Sequence, residues 1–208
     1  MKEIILNHPM IKHKISVLRS KNTSTKEFRE LISEISMILC YEAFKKEKLE
    51  EFELETPITK TTGYRINENN YAFVPILRAG MGMIDGVLRV MPTAKIGHIG
   101  LYRNEETLEP VKYFSKLPKD IQNKEVILLD PMLATGGSGS AAISLLKQDG
   151  VKKIKFLSII AAPEGIKRIK KDHPDVQIYA AQLDDHLNDI GYIVPGLGDA
   201  GDRIYGTK

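Results

Sequence analysis

Apolar runs alternate with amphipathic stretches through most of the chain. Short continuous apolar runs predict buried strands over residues 71–77, 95–101, 126–129, 154–160 and 176–180. Apolar residues at helical spacing predict helices over 81–91, 138–148 and 164–171. This alternation is typical of an α/β fold, in which helices flank a central and mostly parallel sheet. Ligands of such sheets bind beyond the carboxyl ends of the strands.

The clearest helix is predicted ahead of this region, over residues 24–47. Ser24 and Glu27 have the spacing of a capping box, in which the serine side chain accepts a hydrogen bond from the glutamate backbone. Apolar residues then recur at helical spacing: Phe28, Leu31, Ile32, Ile35, Ile38 and Leu39. Cys40 lies at the edge of this stripe, and we expect it to be a small buried residue.

Two segments do not fit the alternating pattern. Residues 102–124 are polar and contain two prolines, which predicts a long excursion over a site. Residues 183–208 are rich in glycine between Gly191 and Gly206, which predicts irregular structure. Long irregular segments in a compact domain are usually functional.

Composition narrows the class of protein. A chain of 208 residues can form one domain with a sizeable core. Its 30 basic and 27 acidic residues nearly balance, which argues against a surface dedicated to nucleic acid but permits a local basic pocket. Because Cys40 is the only cysteine, an internal disulfide and a multi-cysteine metal site are excluded. No signal-peptide core and no run of about 18 apolar residues occurs, so we expect a soluble cytoplasmic protein.

The strongest chemical signal is the run VILLDPMLATGGSGS at residues 126–140. A predicted strand ends at an acid, Asp130, and a short loop then leads through Gly136 and Gly137 into a predicted helix. Backbone N–H groups at a helix start attract anions, and glycine lets phosphate oxygens approach closely. The hydroxyl groups in this loop, from Thr135 and Ser138, are further donors. The run therefore predicts a phosphate site.

Two common phosphate motifs do not account for this run. A Walker A loop needs GxxxxGK[ST], and no lysine occurs between Lys124 and Lys147. A dinucleotide fingerprint is matched nominally by Gly137, Gly139 and Ala142. The first of these glycines lies eight residues beyond the strand, so we interpret this match as accidental. What remains is an acid that can accept hydrogen bonds from ribose hydroxyls beside a loop that can hold a 5′-phosphate.

That arrangement resembles the loop of type I phosphoribosyltransferases, which bind 5-phosphoribosyl 1-pyrophosphate (PRPP). In the form DPMLATGGS it is similar to uracil phosphoribosyltransferases. Further stretches resemble the same family in order: HPMIKHK at 8–14, PILRAGMGM at 75–83, GLYRNEETLEPVKYF at 100–114 and GYIVPGLGDAGDRIYGT at 191–207. The resemblance covers nearly the whole chain and implies a single domain, 1–208, with a flexible loop or β-arm at 102–124 and a uracil-binding hood at 183–208.

The resemblance also implies a role for each candidate residue in moving phosphoribose from PRPP to N1 of uracil. Arg78, Arg103 and Asp130 would be the catalytic residues. Arg78 and its loop would bind pyrophosphate, Arg103 would reach over PRPP, and Asp130 would orient the ribose. The 5′-phosphate would be bound by Pro131, Met132, Leu133, Ala134, Thr135, Gly136, Gly137 and Ser138. The uracil-binding residues would be Ile193, Gly198, Asp199 and Ala200, with uracil contacting the backbone of Ile193, Gly198 and Ala200. Asp199 would also face PRPP and hold Mg²⁺ through water.

Residue chemistry alone leaves alternatives beside these roles. Arg78 follows a predicted buried strand, where a guanidinium suits pyrophosphate but could instead pair with a carboxylate. Arg103, without the family, would be a solvated loop arginine. Asp199 and Asp202 could be ordinary loop acids that cap local N–H groups. We interpret Asp184-Asp185-His186 as a polar turn, because adjacent residues rarely converge on one ion.

The loop departs from the wider superfamily at two positions. Purine enzymes carry a second acid beside the first and a third acid four residues after it, where this chain has Pro131 and Ala134. The general base of those enzymes is therefore missing. This is the pattern expected within the uracil branch, and it predicts catalysis by charge stabilisation and positioning.

Two other functions remain open at this stage. One is a nucleotide-sensing RNA-binding regulator with a phosphoribosyltransferase fold, against which the balanced charge counts. The other is a nicotinamide-dependent dehydrogenase. The family further implies a dimer or larger homo-oligomer and a possible GTP effector, and we expect no membrane or nucleic-acid partner.

Overall fold

The computed structural model describes residues 3–103 and 110–207. The described strands are β1 Ile4–Ile5, β2 Glu50–Glu55, β3 Lys60–Arg65, β4 Tyr71–Leu77, β5 Lys95–Ile96, β6 His98–Arg103, β7 Pro110–Lys116, β8 Glu125–Leu129, β9 Met132–Leu133, β10 Lys153–Ala161, β11 Gln177–Leu183, β12 His186–Leu187 and β13 Ile193–Val194. The α-helices are α1 Pro9–Arg19, α2 Thr25–Ala43, α3 Ile84–Val90, α4 Gly137–Gln148, α5 Pro163–Asp172 and α6 Ala200–Tyr205. Short 3₁₀ turns are formed by Glu68–Asn70, Ala79–Met83 and Ile121–Asn123.

The main sheet has the order β1-β11-β10-β8-β4-β6-β7, with β5 beside β4 and β9 beside β10. Its pairings are parallel except for β6 with β7. Parallel neighbours need crossovers, and α4 and α5 supply them between β8, β10 and β11. The predicted α/β fold with a mostly parallel sheet is confirmed.

Both faces of the sheet are covered. Phe73 of β4 is buried in a cluster that includes side chains of α1, α2 and α3. Its neighbours Ala72 and Val74 are buried in a second cluster with α4 and α5. Because successive side chains of a strand point to opposite faces, a strand buried on both faces is apolar at every position. That is why the run at 71–77 marks the strand so clearly.

Helix α2 begins where the capping box places it. The Ser24 hydroxyl accepts a hydrogen bond from the Glu27 backbone N–H at 3.2 Å. The helix ends at Ala43, earlier than the predicted residue 47, and Phe44 turns into the core against Tyr71. Cys40 is buried as expected, and loss of hydration raises its thiol pKa to about 12.

Strands β6 and β7 form an antiparallel pair that enters the segment 102–124. Strand β7 returns along β6, with Arg103 paired to Pro110 and His98 paired to Lys116. An antiparallel pair therefore occupies part of the segment in which the resemblance implies a β-arm, and the position of this arm over the site stays a prediction. From the sequence we expect Glu105, Glu106 and Glu109 to face solvent rather than to act in catalysis, and all three lie outside the described residues.

The prediction of irregular structure throughout 183–208 is wrong. Strands β12 and β13 pair in antiparallel fashion, and α6 follows them. Asp199 caps the start of α6, and Gly206 ends it with a φ of 69°. The side chain of Ile204, on the inner face of this helix, packs in the core cluster that also contains the buried side chains of α2. Local caps and tertiary packing form this six-residue helix, which is too short to show a periodic pattern.

A second antiparallel pair, β2 with β3, was not predicted and forms a separate two-stranded sheet. Within the part of the chain that the structure describes, no helix is both long and apolar enough to cross a membrane.

Candidate active site

A cleft of about 280 Å³ lies at the carboxyl ends of β4 and β8. Three parts of the chain line it: the turn after β4, the loop after β8, and the segment 190–201 of the hood. The lining residues are Ala79, Asp130, Met132, Ala134, Ile190, Gly191, Tyr192, Ile193, Gly198, Asp199, Ala200 and Gly201. The cleft therefore occupies the edge of the sheet at which ligands are expected to bind.

The loop after β8 holds an acid in a poorly hydrated position. The backbone N–H of Asp130 donates to the carbonyl of Leu157 at 3.2 Å, which continues the sheet by one residue. Its carboxylate accepts a hydrogen bond from the Met132 N–H at 3.3 Å. Loss of hydration raises the pKa of Asp130 to about 7, and the Met132 hydrogen bond opposes this rise only in part.

The same loop is fixed to the neighbouring strand before it reaches α4. The Pro131 carbonyl accepts hydrogen bonds from Ile159 and Ile160. Met132 and Leu133 then pair with β10 as the short strand β9. Since both ends of the loop are held by the sheet, the position of Asp130 is set by main-chain contacts.

The glycine-rich turn into α4 depends on its first glycine. Gly136 has a φ of 79°, in the left-handed region that favours glycine. A Cβ there would lie 2.9 Å from the Gly165 carbonyl oxygen and 2.9 Å from Cβ of Arg168. The hydroxyl of Thr135 accepts from the Gly137 N–H at 3.4 Å, and Ser138 is exposed. This turn opens a twelve-residue helix, whose first N–H groups have no partners within the helix.

The turn after β4 presents Arg78 to solvent. Its peptide bond with Leu77 is cis, and its carbonyl accepts a hydrogen bond from the Tyr205 hydroxyl at 2.8 Å. The guanidinium carbon lies 5.9 Å from the centre of the Tyr205 ring. Within residues 3–103 and 110–207, no ion pair joins Arg78 to a carboxylate.

The hood supplies the opposite wall of the cleft. Ile193 is buried, and Gly198 has a φ of 81°. Asp199 is exposed, and its Oδ1 accepts a hydrogen bond from the Asp202 N–H at 2.9 Å. The hood thus offers mainly backbone groups to a ligand, with one carboxylate at its rim.

Comparison with known proteins decides the family. The family model described as uracil phosphoribosyltransferase matches residues 5–207. The chain belongs to the uracil phosphoribosyltransferase family.

Individual relatives agree with this assignment. A uracil phosphoribosyltransferase of Finegoldia magna is 58% identical over 207 residues, which cover 100% of this chain and 99% of that protein. One of Streptococcus mutans is 57% identical over 204 residues, which cover 98% of each. A solved structure of a protein from Aquifex aeolicus superposes with a TM-score of 0.94 at 45% identity, covering 100% of this chain and 99% of the other.

More distant structures support the fold alone. An adenine phosphoribosyltransferase from Trypanosoma brucei, solved with AMP, pyrophosphate and ribose-5-phosphate, gives a TM-score of 0.59 at 13% identity. The two structures overlap over 87% of this chain and 82% of that one. The chain thus has the type I phosphoribosyltransferase fold. Its transferase activity follows instead from the family model and from the close relatives.

The structure brings together only some of the residues that the family resemblance selected. Asp130, Met132, Ala134, Ile193, Gly198, Asp199 and Ala200 line one cleft. Pro131, Leu133 and Gly136 are buried behind it, while Arg78, Thr135 and Ser138 are exposed near its edge. Arg103 is the last residue of β6, but its side chain lies outside what the structure describes, so its role stays a prediction.

Several residues in and around the cleft were not selected from the sequence. Ile190 and Tyr192 line the cleft without belonging to any predicted contact set. Asp184, interpreted as part of a polar turn, is instead buried and paired with Arg19. No local pattern could have indicated this pair, because its members belong to opposite ends of the chain.

Proposed function

We propose that this cleft catalyses transfer of phosphoribose from PRPP to N1 of uracil, giving UMP and diphosphate. The observation that supports this best is the meeting of Asp130 with the backbone of Ile193 and Gly198 around one cleft. An acid suited to ribose hydroxyls thus stands opposite main-chain groups suited to the edge of a pyrimidine.

PRPP would bind with its 5′-phosphate at the turn that opens α4. Free N–H groups and the helix dipole favour a dianion there, and Thr135 and Ser138 add hydroxyl donors. Asp130 would accept hydrogen bonds from the ribose hydroxyls in its ionised form. The pyrophosphate would then extend toward Arg78, which is exposed and lacks a carboxylate partner within the described ranges.

The reaction breaks the bond from C1′ to the pyrophosphate oxygen and forms a bond from N1 of uracil to C1′. The ribose passes through an oxocarbenium-like state with inversion at C1′, and the N1 proton leaves to solvent. Arg78 and Arg103 would stabilise the charge that grows on pyrophosphate, and hood N–H groups would stabilise the uracil anion. This scheme needs no strong base, in agreement with Pro131 and Ala134 in place of acids.

Mg²⁺ fits this site as a companion of PRPP. Among the described residues, no group of three or more His, Cys, Asp or Glu side chains could hold a metal ion by itself. Mg²⁺ usually binds one or two carboxylates together with substrate phosphates and water, and Asp199 at the cleft rim would reach it through water. The ion would neutralise charge on the pyrophosphate leaving group.

The test is nucleotide formation with Mg²⁺, PRPP and one base at a time: uracil, cytosine, hypoxanthine or orotate. UMP from uracil alone is the expected product, and nucleotide from a different base alone would overturn the choice of uracil. The relatives reported above give no support to the RNA-binding or dehydrogenase alternatives. Activation by GTP, assembly into a dimer or larger, and location in the cytoplasm stay predictions from the sequence.

A further inference from the structure

We propose that Arg19 and Asp184 position the main chain that receives uracil, as a pair that does not itself line the cleft. This inference rests on the proposed function, because it assigns uracil binding to the backbone of residues 193–200. Neither side chain is among those that line the cleft. Both would act through Gly196, which lies between the two proposed uracil-binding positions Ile193 and Gly198.

The pair joins two distant parts of the chain. Arg19 ends α1, and Asp184 follows β11 directly. Nη2 of Arg19 donates to Oδ1 of Asp184 at 2.5 Å, and Nη1 donates to Oδ2 at 2.7 Å. The Asp184 side chain is 1% exposed, so this two-point contact is shielded from solvent.

Both members of the pair also hold Gly196. Oδ2 of Asp184 accepts a hydrogen bond from the Gly196 N–H at 2.9 Å, and Nη1 of Arg19 donates to the Gly196 carbonyl at 3.0 Å. Gly196 has a φ of 61°, and a Cβ there would lie 2.1 Å from the Ile193 carbonyl oxygen. Gly196, which has no side chain of its own to hold it, is thus fixed in a tight turn by the hydrogen bonds of its backbone with Arg19 and Asp184.

A second arginine fixes the next residue. Nη1 of Arg203 donates to the Leu197 carbonyl at 2.9 Å, and Nη2 donates to the Ser20 carbonyl at 2.6 Å. The carbonyls of Gly196 and Leu197 are therefore both engaged by arginines, while Gly198 lines the cleft. The hydrogen bonds divide the segment into an anchored part and a part that faces the ligand.

Recognition through backbone groups requires such anchoring. Binding groups must be held to within about 0.5 Å of the productive geometry, and glycine-rich chain does not hold itself. A buried ion pair adds little net stability over apolar residues of the same volume, so its clearest effect is to impose one geometry. The Arg19–Asp184 pair would thus hold the backbone donors and acceptors of residues 193–200 in one geometry.

The test is steady-state kinetics with Mg²⁺ and PRPP for the parent, Arg19→Lys and Asp184→Asn. Lysine keeps a positive charge beside Asp184 but lacks the planar fork that also reaches Gly196. We expect the KM for uracil to rise by about tenfold or more in Arg19→Lys, because misplacing binding groups by about 1 Å is that costly. The KM for PRPP should stay near that of the parent, and near-ultraviolet circular dichroism should show a folded protein.

Lys14→Met is the matched control. Lys14 also lies on α1 and forms an ion pair, but with Glu34 of α2 rather than with the hood. Both KM values should match the parent in this variant. If Asp184→Asn does not fold, the uracil KM of Arg19→Lys alone tests the inference.

Two outcomes overturn the inference while leaving the proposed function intact. One is an active parent whose uracil KM changes less than about twofold in Arg19→Lys. The other is an equal rise in the KM values for uracil and PRPP, which would indicate a general loosening. A parent that forms no UMP would instead overturn the proposed function, and this inference with it.

Discussion

Gly80 packs against the carbonyl oxygen of Leu129 so closely that a Cβ at residue 80 would lie 2.5 Å from it. The turn that carries Arg78 and the strand that delivers Asp130 are therefore in direct contact. Because backbone meets backbone here, neither side can yield without moving a residue of the site. This contact fixes the distance between the proposed pyrophosphate and ribose positions.

Gly80→Ala is expected to displace that turn and to lower kcat/KM for PRPP by about 10²-fold, since a shift of about 1 Å at a reacting group is enough. Gly97→Ala is the control, because its Cβ would meet chiefly the flexible end of Leu117, at 2.7 Å, while the nearest backbone atom, Cα of Leu117, lies at 3.3 Å. The measurement is kcat/KM for PRPP, determined by steady-state kinetics on both purified variants and on the parent. Parent-like activity in Gly80→Ala would contradict the close contact.

Arg78→Ala is expected to reduce turnover by roughly 10²–10³-fold, as loss of one electrostatic contact to a leaving group does. The midpoint of thermal unfolding should be unchanged, because the side chain is exposed. Arg89→Ala removes another exposed arginine, on α3, and should keep full activity. Equal losses in the two variants would point to a general effect of charge.

Asp130→Asn is expected to abolish most activity and yet to stabilise the protein above neutral pH. The pKa of Asp130 is raised to about 7 by loss of hydration, so the folded protein holds a proton that the unfolded chain releases at about pH 4. The free energy of unfolding of the parent therefore falls as the pH rises from about 4 to 7, by the contribution of this one carboxyl group. The asparagine variant stays neutral throughout and lacks this loss.

Urea unfolding at about pH 4 and about pH 8 measures the difference. The variant should match the parent at the lower pH and exceed it at the higher one, by at most roughly 4 kcal/mol. Glu53→Gln, at an exposed position of β2, should show no such gain. A variant that is less stable than the parent at about pH 8 would show that ionised Asp130 is well solvated or paired.

Lys155→Met is expected to lower the free energy of unfolding by roughly 3–5 kcal/mol. Its ammonium pairs with Glu47 and Glu125 and donates to the Ala43 carbonyl, so methionine leaves two acids without their buried partner. Activity per folded molecule should persist, since Lys155 lies near the amino end of β10 and the cleft is at the other end. Lys153→Met, at an exposed site of the same strand, should change little.

Features set by neighbouring residues were predictable from the sequence. The strand at 71–77 was predicted with its observed bounds, and the start of α2 follows from Ser24 and Glu27. The turn into α4 was likewise indicated by its glycines. At the helix start and at the turn the deciding contacts join residues that are close in the chain, and the strand is recognisable because burial on both faces makes every position apolar.

Features set by tertiary contacts were not predictable in this way. Helix α2 ends at Ala43, whose carbonyl accepts a hydrogen bond from the Lys155 ammonium. Lys155 belongs to β10, which is distant in the chain. Helix α6 is stabilised by packing of Ile204 against the cluster that holds α2, a contact that its own six residues do not indicate. The pairing of Arg19 with Asp184 likewise leaves no local trace in the sequence.

The hydrogen bond from the Tyr205 hydroxyl to the Arg78 carbonyl ties the last residues of the chain to the turn after β4. Every strand of the main sheet precedes residue 184, whereas the wall that faces Asp130 comes after it. During synthesis on the ribosome, the wall that faces Asp130 is therefore made after every strand of the sheet and after the turn into α4. Under the proposed function, the place for the base is made later than the place for PRPP.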